Sequence, residues 1–237
     1  MYVMALHSAM FSTFTHVSMA PVAGWDIFGS AIRQGTDRPG AAGAAIHGGK
    51  PMRLKSSAVA PLLALKDMNG KPVAIGGATG RRTLLCFFRD AACPFCNFRI
   101  YELTRHHDSL AALGLAVVAV FASTPEEVRR FVARKPRPFV VVADPSSSAH
   151  EAYGIERSLW RKWKGVFTRI PTLLKGLRIV GLAGLNTTNL MPADFLIDED
   201  GHIAEAYYGS DAGDRIPFER IELFLARGLL KRAAAPA

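Results

Sequence analysis

Apolar positions along the chain change period several times, and each change marks an element. Leu84-Leu-Cys-Phe-Phe88 is a short unbroken apolar run, the length and make-up of a strand buried on both faces. Beyond it, Ile100, Leu103, His107, Leu110 and Leu113 recur at three-to-four spacing, one face of a helix that Gly114 is placed to stop. Leu115 to Phe121 is a second buried run and Phe139 to Ala143 a third, ending at Asp144-Pro145. Between these two, Thr124-Pro-Glu-Glu127 has the form of a capping box with proline at the first helical position, predicting a helix as far as Arg134. A short helix is expected up to Tyr153-Gly154. Leu62 to Lys66 and Lys71 to Ile75 flank Asp67-Met-Asn-Gly70, an Asn-Gly hairpin turn. Asp194 to Asp198 and Ile203 to Tyr208 form a second hairpin around Glu199-Asp-Gly201. Pro217 to Leu230 closes the chain as an amphipathic helix with Phe218, Ile221, Leu225 and Leu229 on one face. No internal repeat is present.

Two stretches do not fit this pattern. Between residues 156 and 190, seven basic residues from Arg157 to Arg178 are interleaved with Trp160, Trp163, Phe167 and several leucines. The expectation is one basic amphipathic helix and a loop, a solvated face held over the domain by its tryptophans; docking of residues 156–178 to a membrane surface or a partner is the alternative. Residues 1–55 are the other exception. Gly35 to Gly49 is dominated by Gly and Ala without periodicity, so a flexible extension is expected ahead of a domain spanning 56–232. His47-Gly-Gly-Lys50-Pro51 fails as a phosphate loop, because Ala44 stands where the first glycine belongs and Pro51 replaces the Ser or Thr. The first 30 residues hold no Lys or Arg and no clean apolar core, which argues against an export signal. Met52, followed by Arg53 and Lys55, stands open as an alternative start.

Composition narrows the classes only a little. At 237 residues, 49% hydrophobic and 21% charged, the chain is one globular domain with additions, and no stretch of about 18 apolar residues is available to span a membrane. The net charge of +9 favours acidic partners or surfaces, but the aromatic-and-basic signature of a nucleic-acid binder is missing. Three cysteines are too few for a disulfide framework and suit a reducing, cytoplasmic setting.

The candidate chemistry lies in Cys93-Pro-Phe-Cys96, between the first buried run and the long helix. Pro94 suits the first helical position, so Cys93 is expected at the helix N-terminus, where free N–H groups and the dipole stabilise a thiolate. Cys96, one turn on, can close a disulfide with it, giving a reversible two-electron thiol switch. The zinc alternative lacks ligands: the remaining cysteine, Cys86, belongs to the strand, and His106-His107 lie about three turns down the helix. No metal and no organic cofactor are expected. Arg89 would lower the thiol pKa, whereas Asp90 would oppose it.

The order of elements, with Phe87-Phe88…Cys93-Pro-Phe-Cys96, Asp144-Pro…Ala149-His-Glu-Ala-Tyr153-Gly154 and Met191-Pro192-Ala-Asp-Phe-Leu-Ile-Asp198-Glu-Asp-Gly201, resembles peroxiredoxin-like proteins of the alkyl hydroperoxide reductase/thiol-specific antioxidant (AhpC/TSA) superfamily. The resemblance implies an α/β thioredoxin-like fold, a mixed sheet flanked by helices with an N-terminal β-hairpin. It implies a cis proline beside the cysteine pair, with a neighbouring backbone edge that binds substrate. Ile170-Pro171-Thr172 copies the thioredoxin tripeptide, but Pro192, preceded by Met191, leads into the expected strand and is the choice. The family's Pro seven residues and Thr three residues before the peroxidatic Cys are replaced by Cys86 and Asp90, and its distant Arg falls on Pro192. The implied function is a thiol-dependent antioxidant oxidoreductase. Cys93 attacks a hydroperoxide or a disulfide, Cys96 resolves, and an external thioredoxin- or glutathione-like thiol reduces the pair. A disulfide oxidoreductase without peroxidase activity and a non-enzymatic redox sensor are the alternatives. Disulfide exchange is the easier chemistry for a site without the usual peroxide-positioning groups.

Overall fold

The structure, a computed structural model, describes residues 52–181 and 187–233. The expected flexible extension therefore lies, up to residue 51, outside the described residues. Residues 52–55 already engage the domain, Arg53 pairing with Glu156 at 3.0 Å and the Leu54 N–H donating to the Tyr208 hydroxyl at 2.7 Å.

Strands β1 (Leu63–Lys66) and β2 (Pro72–Ile75) form the first hairpin, turning where Gly70 takes a positive φ of 79°. Strand β3 (Arg82–Phe88) is the middle of a five-stranded sheet. It is followed by α1 (Pro94–Ala112), β4 (Leu115–Phe121), α2 (Pro125–Phe131), β5 (Val140–Ala143) and α3 (Ser148–Ala152). Then come α4 (Leu159–Thr168), α5 (Ile170–Val180), β6 (Ala193–Ile197), β7 (Ile203–Tyr208) and α6 (Phe218–Ala233). The sheet order is β5-β4-β3-β6-β7, parallel from β5 to β3 and antiparallel from β3 to β7. This is the mixed sheet of the expected α/β fold.

The apolar run in β3 has a simple cause. Its side chains alternate between two separate cores, Leu84, Cys86 and Phe88 packing with Ile100, Leu103 and Ile221, and Leu85 and Phe87 with Tyr153, Phe195 and Ile75. Both faces are covered, so no polar position is tolerated. The capping box at Thr124 forms as expected, with its side chain accepting from the Glu127 N–H and the Glu127 side chain accepting from the Thr124 N–H. Helix α2 stops at Phe131, three residues short of the expected end.

The main correction concerns residues 156–190. Two helices form there, α4 and α5, separated at Arg169. Trp160 and Trp163 do not hold the segment to the domain; both are exposed. Val166 and Leu173 pack against the core, and the remaining anchors are glycines and charged residues. A Cβ added to Gly176 in α5 would come within 2.1 Å of the Pro94 carbonyl oxygen, so α5 lies directly across the start of α1. Arg169 holds Asp211 at 2.9 Å and Asp214 at 3.0 Å, and Arg161 donates to Glu156 at 3.2 Å and to the carbonyls of Gly209 and Ser210.

Candidate active site

Strand β3 ends at Phe88, whose carbonyl is held by the His150 ring at 2.9 Å while the same ring meets Asp144 at 3.1 Å. This clamp fixes the point from which the next loop departs. The loop is pinned by the Ala91 N–H donating to Ser123 Oγ at 2.9 Å and by Asn97 Nδ2 donating to the carbonyls of Ala91 and Cys93. It closes with the Cys93 N–H donating to the Asp90 carbonyl at 3.0 Å. Cys93 is then the N-cap of α1 with extended backbone, and Pro94 follows at the first turn. The expected position is therefore realised.

Cys93 and Cys96 are both free thiols and completely buried. Burial alone would raise the Cys93 thiol, but the Cys96 S–H donates to its sulfur, and the Arg89 charge and the Cys96 backbone N–H add to this. Together they bring Cys93 down to about 6. The Arg89 Nη1 stands 3.8 Å from the sulfur. Cys96 goes the opposite way, held well up by burial and by its bond to the Cys93 sulfur. Asp90 opposes the Cys93 thiolate as expected, yet it turns aside and accepts from the Thr188 N–H at 2.8 Å and the Thr188 hydroxyl at 3.1 Å.

Pro192 and Met191 are the second correction. No peptide bond among the described residues is cis, so Pro192 does not take the isomer expected of it. Both residues are buried. The Met191 N–H donates to the Glu156 carbonyl and the Pro192 carbonyl accepts from the Gly209 N–H, each at 2.9 Å. The edge expected to bind a substrate chain is thus filled by the protein's own backbone. Pro171 lies in the first turn of α5 rather than before a strand, so the preference for Pro192 as the residue leading into β6 stands.

Several residues of the site were not anticipated. Arg89 donates to Thr187 Oγ1 at 3.2 Å and to the Thr188 carbonyl, and Lys162 of α4 donates to the Thr187 carbonyl. On the Cys96 side, Arg215 lies 3.9 Å from the sulfur and 4.1 Å from the centre of the Phe88 ring. It donates to the Phe87 carbonyl at 2.9 Å and to Asp194 at 3.1 Å, and the Ile216 N–H also reaches Asp194. Asp194 had a visible signal: a carboxylate inside the otherwise apolar strand Ala193-Asp-Phe-Leu-Ile197 requires a buried cation. Cys86 lies on the same face, its thiol raised by burial and by Asp194. Among the described residues, no cluster of His, Cys, Asp and Glu could hold a metal ion.

The profile of the AhpC/TSA family matches residues 57–206, which takes in the first hairpin, the cysteine pair and all but the last two residues of the second hairpin. The chain belongs to the AhpC/TSA family. A Mycobacterium tuberculosis (strain H37Rv) protein named as a peroxiredoxin, Rv2521, is 23% identical over 176 residues, covering 73% of this chain and 98% of that one. Among solved structures, peroxidoxin BcpB of M. tuberculosis superposes with a TM-score of 0.53 at 14% identity, over 78% of this chain and all of that one. A DsbE-type thiol:disulfide interchange protein from Chlorobium tepidum gives 0.51 at 23% identity, over 73% and 99%. Both likenesses establish the thioredoxin-like fold. This AhpC/TSA protein is a peroxiredoxin-like thiol oxidoreductase, a class that acts on peroxides or disulfides and draws on a thiol reductant.

Proposed function

We propose that the protein is a two-thiol peroxidase for small hydroperoxides, with Cys93 as nucleophile and Cys96 as resolving thiol. The observation that carries this reading is the opposed setting of the two sulfurs, Cys93 lowered to about 6 and Cys96 kept protonated one turn away. At neutral pH Cys93 attacks as thiolate on one peroxide oxygen. The O–O bond breaks, the sulfur becomes a sulfenic acid, and the departing alkoxide takes a proton from solvent to leave as alcohol or water. Arg89, 3.8 Å from the sulfur, supplies positive charge where the developing oxyanion needs it. The Cys96 thiol then displaces water from the sulfenic acid, forming the Cys93–Cys96 disulfide. An external dithiol returns both to thiols.

Protein disulfides are the poorer substrate on this reading. Exchange requires a sulfur to approach along the axis of its target bond. Here both sulfurs are completely buried, and the Met191–Pro192 edge already carries its own partners. This reverses the preference that the missing Thr and Arg suggested, because Arg89 approaches the sulfur from the chain's own loop. Stopped-flow oxidation of the reduced protein by hydrogen peroxide, an alkyl hydroperoxide and an oxidised protein disulfide tests it. Both peroxides should react faster than the disulfide, and Cys96→Ser should accumulate a sulfenic acid that dimedone traps. Faster reaction with the protein disulfide would sink the peroxidase reading.

A further inference from the structure

Helix α4 is docked on its polar side. Its inward positions are Arg161, Lys162, Gly165, Val166 and Arg169; apart from Val166 they meet the domain through ion pairs, carbonyl bonds and a close glycine contact. Its outward positions Trp160, Trp163 and Phe167 are 80%, 52% and 71% exposed. An amphipathic helix that packs only for the stability of its own domain does the reverse. Helix α5 continues the surface with exposed Ile170, Leu174 and Ile179. Trp163 and Phe167 stand together, their ring centres 6.2 Å apart, and so many exposed large apolar side chains on two successive helices mark an interaction site.

The charge carried by this segment itself has one sign. Lys164, Lys175 and Arg178 lie exposed among these apolar residues, and the sequence contains no Asp or Glu from Arg157 to Leu190. Tryptophan, phenylalanine and leucine interspersed with Lys and Arg on short helices is the composition that enters the headgroup region of an anionic bilayer, the rings at the acyl boundary and the cations among the phosphates. No helix among the described residues is long and apolar enough to cross a membrane, so the contact is with a surface. We propose that the outward face of α4 and α5 docks the protein on an anionic lipid surface. Lys162, on the inward side of the same helix, holds Thr187, which in turn meets Arg89. Docking therefore brings the thiol site to the membrane while leaving its lining untouched. The proposal does not depend on which substrate Cys93 attacks.

Co-sedimentation of the full chain with vesicles of phosphatidylglycerol and phosphatidylcholine, against phosphatidylcholine alone, is the test. Binding is expected to the first and not the second, and to weaken with added salt. In a Trp25→Phe background, which leaves Trp160 and Trp163 as the reporters, emission should shift to the blue on binding. Each Lys or Arg near an anionic surface contributes about fivefold in affinity, so Lys164→Gln, Lys175→Gln and Arg178→Gln together should weaken binding on the order of a hundredfold. Trp160→Ser, Trp163→Ser and Phe167→Ser together should abolish it with unchanged melting temperature, since all three are exposed. Absence of vesicle binding in the wild type overturns the proposal. So does binding that both variants retain, which would assign it to another basic surface or to the first 51 residues. A monomer–dimer equilibrium lost in the aromatic variant, without vesicle binding, would make the face a contact between copies of this chain.

Discussion

Cys93 and Cys96 sit one helical turn apart, each within 4 Å of a buried guanidinium, and their thiols are pushed in opposite directions. The first cause is the hydrogen bond between them, which Cys96 donates and the Cys93 sulfur accepts; what else each guanidinium holds comes second. Arg215 is engaged by Asp194 at 3.1 Å, so much of its charge is already answered before Cys96 is reached. Arg89 hydrogen-bonds to Thr187 and to the Thr188 carbonyl, both neutral, and its buried Nε has no hydrogen-bond partner. Asp90, which the Arg89 charge also reaches, accepts its hydrogen bonds from Thr188. A nearby cation lowers a thiol less where a carboxylate also holds it.

The most drastic way to break the comparison is Cys93→Ser. Peroxide consumption supported by a dithiol reductant should fall to background, because no other described thiol is lowered. If Cys86→Ser were equally damaging with the fold intact, the roles would have to be reassigned. Next comes Arg89→Met, which should slow oxidation of Cys93 at neutral pH on the order of a hundredfold. The pH profile separates this from a packing defect. In the wild type the rate should climb as pH rises through about 6 and level off above, following the thiolate. In the variant the climb should move to higher pH.

Arg215→Met should behave differently. Asp194 would be left buried without its cation, costing about 3–5 kcal/mol of stability in a denaturant titration, while the Cys93 profile stays nearly in place. Substituting Asp194→Leu in the same chain should recover much of that loss. A Cys93 profile shifted as far as in Arg89→Met would dissolve the contrast between the two arginines. The smallest effect is expected from Gly176→Ala, whose methyl group meets the Pro94 carbonyl. Overpacking of that size costs about 1–3 kcal/mol, and faster alkylation of the reduced cysteines would show that α5 has lifted.

The part of this architecture that was legible in the sequence has a common cause. β3, α1, β4 and the second hairpin bury residues according to their own period, and Gly, Pro and Asn mark their ends. Cys93 and Arg89 were legible for the same reason, since strand, loop and helix are adjacent in the chain. Arg215 was not, because its meeting with Cys96 and Asp194 depends on β6 lying beside β3, a pairing across more than a hundred residues. Helices α4 and α5 were misread because, beside Val166 and Leu173, their inward faces use Gly165, Gly176, Arg161 and Arg169, residues that ordinarily signal solvent or a break. Pro192 shows a further limit: its place before β6 was readable, but not that Glu156 would accept the Met191 N–H and Gly209 donate to the Pro192 carbonyl.

Complete burial of both sulfurs has a kinetic consequence. Oxidant and reductant must each wait for a transient opening of the structure around them, whose equilibrium belongs to the protein and not to the visitor. If reclosing is faster than reaction, observed rate constants are intrinsic ones scaled by the open fraction, and bulky hydroperoxides keep the same rank order as in an open site. If opening itself is slow, rates should saturate at one ceiling shared by every peroxide and every dithiol. That ceiling would be a property of the fold around the site, measurable as the exchange rate of the amide protons that the same opening exposes.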